Sequence, residues 1–441
     1  MRILITAAGS RGDVVPYTGL GARLRTAGHE VALATHEAYT EPVRAAGLEY
    51  RPLPADPRTA DPGTVDPGTA GSASGGAIGP ATGGATGRRA LMARAAAFLA
   101  ELGDGLADAA APGADLLLLS TTTAPLGWQL SEATGTPTLG VYLQPTHPTR
   151  DFPPTMGSGR PLGSWGNRLA GTAALKIVDR LYSAPVRALR SRLGLPPAPL
   201  SAVRARMEAS HWPVLHGFSP LLAPRPSDWR PGLQVSGNWW PYTAPTEHLP
   251  PTIEDFLASG PPPVFIGFGS MAAGQGERLG ELAVRALRRA KVRGILQAGW
   301  AGLTAAAHQD DDILSVEDLP HALLFPRTAA VVHHCGAGTT AAALRAGAPT
   351  VPVPVTTDQP FWAARLTALG AAPAPTPFKA LTGKDAEERL ATAIGAAVSD
   401  TGMRDRARNA AARMATEDGA AHVLRAVERL SEGDPAPTGL D

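Results

Sequence analysis

Eight residues late in the chain, His333-His334-Cys335-Gly336-Ala337-Gly338-Thr339-Thr340, combine the parts of an anion site. An apolar run, Ala329 to His333, leads into them and a helical pattern follows. Gly336 and Gly338 carry no side chain, so backbone can approach a ligand closely. A helix starting here points free N–H groups and its positive dipole end at the loop, which suits phosphate or diphosphate. Thr339 and Thr340 add hydroxyl donors, and a histidine can donate to a phosphate oxygen. The competing reading is a tight turn capped by the histidines. No lysine follows the glycines, so this is not a Walker A motif.

Asp13 lies after the first apolar run, where α/β proteins form ligand clefts. A carboxylate there serves either as a general base or as an N-cap for a helix starting near Pro16. Asp358-Gln359 offers acceptors and donors suited to sugar hydroxyls, or again an N-cap. Asp310-Asp311-Asp312 has the D-x-D spacing of a metal site but reads as a solvated turn. Arg11-Gly12-Asp13 spells an adhesion tripeptide by coincidence. The loop Gly9-Ser10-Arg11-Gly12-Asp13 is not a G-x-G-x-x-G fingerprint, which disfavours a dehydrogenase. The single cysteine, Cys335, reads as a small buried apolar residue.

The elements that must position these residues alternate. Arg2 to Thr6 and Val31 to Thr35 read as strands, with a helix from Pro16 to Gly28 between them. Asp115 to Leu119 and Thr138 to Leu143 continue the pattern, and a helix is predicted from about Trp165 to Leu193. Residues 54–87 are almost wholly Pro, Gly, Ala, Ser, Thr and Asp, and read either as a disordered insertion or as a mobile loop over a cleft. Residues 145–165 are irregular and contain Phe152, Met156 and Trp165. After a proline-rich stretch at 237–252 a second set begins: Val264 to Phe268, Ile295-Leu296, Ile313-Leu314, Ala329 to His333 and Thr350 to Val353 as strands, with helices between and beyond. The fold class is α/β with two doubly wound domains.

The bulk properties narrow the function. The 441 residues suffice for two or three domains. A net charge of +1, from 40 basic and 39 acidic residues, gives no field to attract nucleic acid. No stretch approaches ~20 apolar residues, so no membrane span is expected. One cysteine and a first apolar run too short for a signal peptide suggest a cytoplasmic protein. Composition leaves monomer or homodimer open.

The motifs GSRGDVVP, FIGFGSM and LLFPRTAAVVHHCGAGTTAAALRAGAPTVPVPVTTDQPFWAARL together resemble the family 1 glycosyltransferases of GT-B fold. The best-fitting subgroup is the actinobacterial natural-product enzymes, and sterol glucosyltransferases are similar too. The resemblance covers nearly the whole chain. It implies two Rossmann-like domains facing each other across a cleft: an acceptor domain over 1–237, a linker over 238–252 and a nucleotide-sugar domain over 253–415. A helix over 416–441 then packs back on the first domain, ahead of a tail. It implies that Ser270, His334, Gly336, Gly338 and Thr339 hold the donor diphosphate, that Asp358 and Gln359 grip the sugar, and that Asp13 is the base. The places of the plant family's base-stacking Trp and ribose-binding Glu fall on Val316 and Ala342, so either a UDP-sugar or a dTDP-sugar is expected.

The expected activity is inverting, metal-independent transfer of a hexose to a hydroxyl of a small lipophilic natural product or sterol-like aglycone. No cofactor is implied beyond the co-substrate. Phe152, Met156 and Trp165 are the expected acceptor contacts. The alternatives are a nucleotide-sugar epimerase or hydrolase of the same fold, or an inert nucleotide-sugar-binding auxiliary protein.

Overall fold

A computed structural model of the chain describes residues 1–54, 85–156, 159–269, 275–298, 303 and 311–432, with 85–92 described by backbone alone. It forms two compact units. The first comprises Met1–Pro220, Pro224–Ala244 and Glu417–Asp441, and the second Leu221–Ala223 and Pro245–Thr416.

The first unit is built on β1 (Arg2–Thr6), β2 (Glu30–His36), β3 (Glu49–Leu53), β4 (Leu116–Leu119), β5 (Thr138–Tyr142), β6 (Val214–His216) and β7 (Leu233–Val235). They pair in parallel in the order β3-β2-β1-β4-β5-β6-β7. Ile3 sits between Val31 and Leu116 in register. A strand covered on both faces needs apolar residues throughout, which is why Leu116 to Leu119 reads as an unbroken run. Its helices are α1 (Arg11–Val14), α2 (Pro16–Thr26), α3 (Thr40–Ala45), α4 (Ala85–Ala110), α5 (Ala124–Thr134), α6 (Gly163–Arg192) and α7 (Leu200–Ala209).

The second unit carries β8 (Val264–Gly267), β9 (Gly294–Gln297), β10 (Ile313–Val316), β11 (Ala330–His333) and β12 (Thr350–Pro352), parallel in the order β10-β9-β8-β11-β12. Alternate residues of β8 feed opposite cores. Val264 and Ile266 pack with Leu282 and Ile394, while Phe265 packs with Ile253 and Phe325. Its helices are α8 (Pro251–Ala258), α9 (Gly276–Ala290), α10 (His321–Leu324), α11 (Ala337–Arg345), α12 (Gln359–Ala368), α13 (Ala386–Ser399) and α14 (Thr401–Met414). The chain then returns to the first unit with α15 (Gly419–Ser431), whose Val423, Ala426 and Val427 enter that unit's core beside Leu20 and Leu24.

In both sheets the strand order reverses once, between β1 and β4 and between β8 and β11. Loops leaving the carboxyl ends of strands at such a reversal splay apart and leave room for a ligand.

Two features differ from the sequence reading. The loop Gly9 to Asp13 is not wholly loop, because Arg11 to Val14 form one helical turn. The unit boundary falls between Ala244 and Pro245, inside the expected linker over 238–252, but each end of that stretch is packed on its own unit. Trp239 is buried in the first unit's core, its indole Nε1 donating to the Gly419 carbonyl at 3.1 Å. The Tyr242 amide donates to Thr18 Oγ1 at 3.0 Å, and Leu249 enters a core of the second unit. Burial of these large side chains outweighs the absence of periodicity that the prolines impose. The expected loop over 54–87 lies largely outside the described residues.

Candidate active site

Asp13 is the third residue of α1, and Ser10 is that helix's N-cap. It therefore does not cap the helix beginning at Pro16. Its carboxylate turns back, and Oδ2 accepts from the Ser10 amide at 2.9 Å and the Ser10 hydroxyl at 2.7 Å. Oδ1 accepts from Gln144 Nε2 at 3.1 Å. Each carboxylate oxygen has two lone-pair sites. Oδ2 has both occupied and Oδ1 has one, so Oδ1 is the atom able to take a proton.

The loop beneath is held just as closely. A Cβ on Gly9, whose φ is +143°, would meet Asp13 Oδ2 at 2.7 Å. The Gly9 amide donates to His36 Nε2 at 3.0 Å. That bond places the imidazole proton on Nδ1, which faces the Pro54 carbonyl at 2.6 Å. Gln144 Oε1 in turn accepts from Thr121 Oγ1 at 3.4 Å. Asp13, Thr121 and Gln144 thus follow β1, β4 and β5, three neighbouring strands. Sequence reasoning missed Gln144, Thr121 and His36. The signal was available: polar residues at or just past the ends of apolar strand runs.

In the second unit, β11 ends at His333 and α11 starts at Ala337 with Gly336 as its N-cap and no side chain capping it. The first amides of α11 are therefore left for an external acceptor. His333 is fully buried, and its Nδ1 accepts from the Cys335 amide at 2.9 Å. His334 lies between two glycines. A Cβ on Gly336 would approach its Nε2 to 2.7 Å, and one on Gly269 its Cε1 to 3.2 Å. Burial, reinforced by nearby His321, pulls the His334 imidazole down to about 4, so it is neutral at ordinary pH. Burial likewise keeps His333 well below its usual range. Cys335 is buried as expected, and burial pushes its thiol up.

Gly338 is exposed, with nothing within 4 Å of an added Cβ, and Thr339 is half-buried one residue on. Ser270, of the turn after β8, lies outside the described residues.

After β12, Asp358 Oδ2 accepts from the Trp362 indole at 2.7 Å and Oδ1 from Thr357 Oγ1 at 3.1 Å. The carboxylate makes no capping bond to α12. Gln359 Oε1 accepts from the amides of Val355 at 2.8 Å and Thr356 at 3.1 Å, which leaves its Nε2 to donate. Cys335 and Thr357 adopt left-handed backbone, φ +64° and +59°. Non-glycine residues held there mark loops whose shape the surroundings impose.

The other expected contact residues lie as follows. Val316, the expected nucleoside contact, is 8% exposed and packs with Phe265 and Phe325, and Ala342 packs against the same cluster. Only the backbone of Val316 remains for a nucleoside. Phe152, an expected acceptor contact, is a buried core residue. Trp165 stands on the first turn of α6, 77% exposed, beneath the Arg150 guanidinium at 4.6 Å from the ring centre. Met156 is half-buried. The loop carrying Phe152 and Met156 is pinned by Asp228, which accepts from Thr149 Oγ1 at 2.6 Å and the Arg150 amide at 3.0 Å.

Sequence reasoning also missed a polar chain past the ends of β9 and β10. Gln297 Nε2 donates to Asp318 Oδ1 at 3.0 Å, and His321 Nε2 lies 3.4 Å from Gln297 Oε1. A groove of about 900 Å³ lined by Arg288, Lys291, Arg327 and Arg404 sits at the opposite, amino-terminal strand ends. Several of its cations stand at helix carboxyl ends, where they offset the dipole. Among the described residues, no three His, Cys, Asp or Glu side chains gather as a metal would require.

Residues 3–79 match the glycosyltransferase family 28 N-terminal domain, and residues 298–430 the erythromycin biosynthesis protein CIII-like C-terminal domain. The chain is 37% identical to the O-mycaminosyltylonolide 6-deoxyallosyltransferase of Streptomyces fradiae over 442 residues, 98% of either chain. It is 32% identical to a sterol 3-beta-glucosyltransferase of Arabidopsis thaliana over 452 residues, covering all of this chain and 68% of that one. The solved glycosyltransferase VinC in complex with dTDP is similar in fold, with a TM-score of 0.66 and 19% identity over 98% of this chain and all of that one.

Proposed function

The chain belongs to the GT-B glycosyltransferases, in the family of the deoxyallosyl- and sterol glucosyltransferases it matches, and we propose that it moves a deoxyhexose from a dTDP-sugar to a hydroxyl of a small lipophilic natural product. The observation that carries this reading is the uncapped start of α11 beside a neutral His334, a set of fixed donors for a diphosphate.

The transfer is a single in-line displacement with inversion. Asp13 Oδ1 takes the acceptor's proton while the hydroxyl oxygen bonds to the anomeric carbon. The bond from that carbon to the diphosphate oxygen breaks, and the diphosphate leaves with the electron pair. Its growing charge meets the amides of Ala337, Gly338 and Thr339, the Thr339 hydroxyl and an N–H of His334, with Ser270 as a further donor. Asp358 and the Gln359 amide bind the sugar. Gln144 holds the Asp13 carboxylate so that Oδ1 faces the acceptor, and Met156 borders it. These fixed donors perform the charge stabilisation that a metal supplies elsewhere, so turnover is expected to persist in EDTA.

Support for a thymidine donor comes from Ala342, an apolar residue that offers no acceptor for ribose hydroxyls. It comes also from the 6-deoxyallosyl group in the relative's name and the dTDP in VinC. The identity to the sterol glucosyltransferase favours a second reading, UDP-glucose with a sterol-like acceptor. Metal-free calorimetric titration with dTDP, dTDP-glucose, UDP and UDP-glucose separates the two, and binding of none would overturn both. Donor consumption without acceptor would indicate a hydrolase or epimerase. Binding without turnover toward any acceptor would indicate an auxiliary protein.

A further inference from the structure

The large hydrophobic side chains left exposed among the described residues are four, and all stand on or beside one half of α6. They are Leu162 at 59%, Trp165 at 77%, Leu169 at 73% and Ile177 at 43%. Trp165, Leu169 and Ile177 fall on one stripe at multiples of four residues, with exposed Ala173 completing it. The opposite face of the helix is the one that packs inward, through Gly171, Tyr182, Val186 and Leu189. An outward apolar ridge about 18 Å long therefore runs along a helix that needs none of it for its own core.

The unpaired charges on the ridge side of α6 are cationic. Lys176, Arg180 and Arg187 are exposed there, and Arg150 lies over the Trp165 ring, while Arg168, off that face, is held by Asp228 at 3.3 Å. Among the described residues, α6 has one acid, Asp179, and Arg204 holds it at 2.6 Å. A ridge of Trp, Leu and Ile bordered by Lys and Arg fits the boundary between anionic headgroups and acyl chains. No helix among the described residues is long and apolar enough to cross a membrane, so such contact is superficial. A second copy fits poorly, because a two-fold interface would set these cations against their own counterparts.

We propose that the outer face of α6 docks the protein on an anionic lipid bilayer surface. Trp165, Leu169 and Ile177 enter the headgroup boundary, and Lys176, Arg180 and Arg187 pair with lipid phosphates.

The test is co-sedimentation of the full chain with vesicles of phosphatidylcholine containing about 30 mol% phosphatidylglycerol, against phosphatidylcholine alone. The expected result is binding to the anionic vesicles at least tenfold tighter, roughly, and weakening as salt rises. Leu169→Glu with Ile177→Glu, and separately Lys176→Glu with Arg180→Glu, should each abolish pelleting. Melting temperature and donor titration should stay unchanged, since these side chains are exposed and belong to the unit that does not carry the donor loops. This readout is binding rather than turnover, so it stands apart from the proposed transfer reaction. No pelleting by the unmodified chain, or equal pelleting by the variants, overturns the proposal. So does a sedimentation-equilibrium dimer that Leu169→Glu dissociates, which would assign the ridge to a second copy.

Discussion

The two units solve one problem with different materials. Both place their chemistry in loops after parallel strands flanking a reversal in strand order. In the first, the loop after β1 is organised by side chains. Ser10, Gln144 and, through Gly9, His36 direct one carboxylate. In the second, the loop after β11 is organised by backbone: a glycine N-cap, a left-handed Cys335 and a histidine fitted between glycines. The difference follows from the tasks proposed for the two loops. A base must present one oriented lone pair, whereas a diphosphate carries charge on many oxygens and is best met by an array of fixed N–H groups.

Asp13→Asn tests the side-chain half most severely. Turnover should fall by ~10²–10⁴ while donor affinity holds, measured by steady-state kinetics beside calorimetry. Full activity would remove Asp13 from its role.

Acid should reveal a feature the units share. Each holds a buried histidine, His216 in the first and His333 in the second, beside a half-buried one, His147 and His334, and desolvation keeps all four below their usual range. The folded pKa of His216, about 4, lies below the ordinary 6.5. Between those values the unfolded chain binds a proton that the folded chain does not. Stability is therefore complete above about 6.5 and lost as pH falls, by on the order of 3 kcal/mol for His216. Denaturant melts across this range should show the loss, and His216→Phe should reduce the slope by about one proton.

Gly336→Ala against Gly338→Ala sharpens the contrast within the backbone-built loop. A Cβ at 336 would strike His334, whereas one at 338 meets open space. The first should weaken donor binding by about tenfold or more, because a displaced imidazole loses a charge-assisted bond. The second displaces no protein group, so it should weaken donor binding less, only by crowding the diphosphate, while stabilising α11 slightly. Equal effects would break the assignment of His334.

The smallest expected loss is from Gln144→Leu. It should lower kcat about tenfold with little change in KM for the donor, as expected for losing one hydrogen bond to a charged group. Gln144→Glu should also shift the acid limb of the kcat profile upward, since a second carboxylate disfavours ionisation of Asp13. A merely structural Gln144 would not move that limb.

What the sequence made legible follows from which interactions are local. The buried strands announce themselves as apolar runs, and Gly336 to Thr339 announces a strand-to-helix loop, because each is written in contiguous residues. Gln144 meets Asp13 across 131 positions, and only the β1-β4-β5 order brings them together. Trp239 was hidden for the same reason, since its partner Gly419 lies 180 residues away. Val316 was harder to read, because spacing gives its position but not its burial, and its side chain packs with Phe265 and Phe325.

The return of α15 to the first unit makes the second unit almost an insertion, entering near Pro245 and leaving near Thr416. The consequence is an asymmetry in how the gene can be cut. Residues 245–416 form a nearly continuous fragment fit for separate expression, whereas residues 1–244 alone would lack Val423, Ala426 and Val427 from their core. A stop codon after Thr416 would thus injure the half of the protein encoded farthest from it.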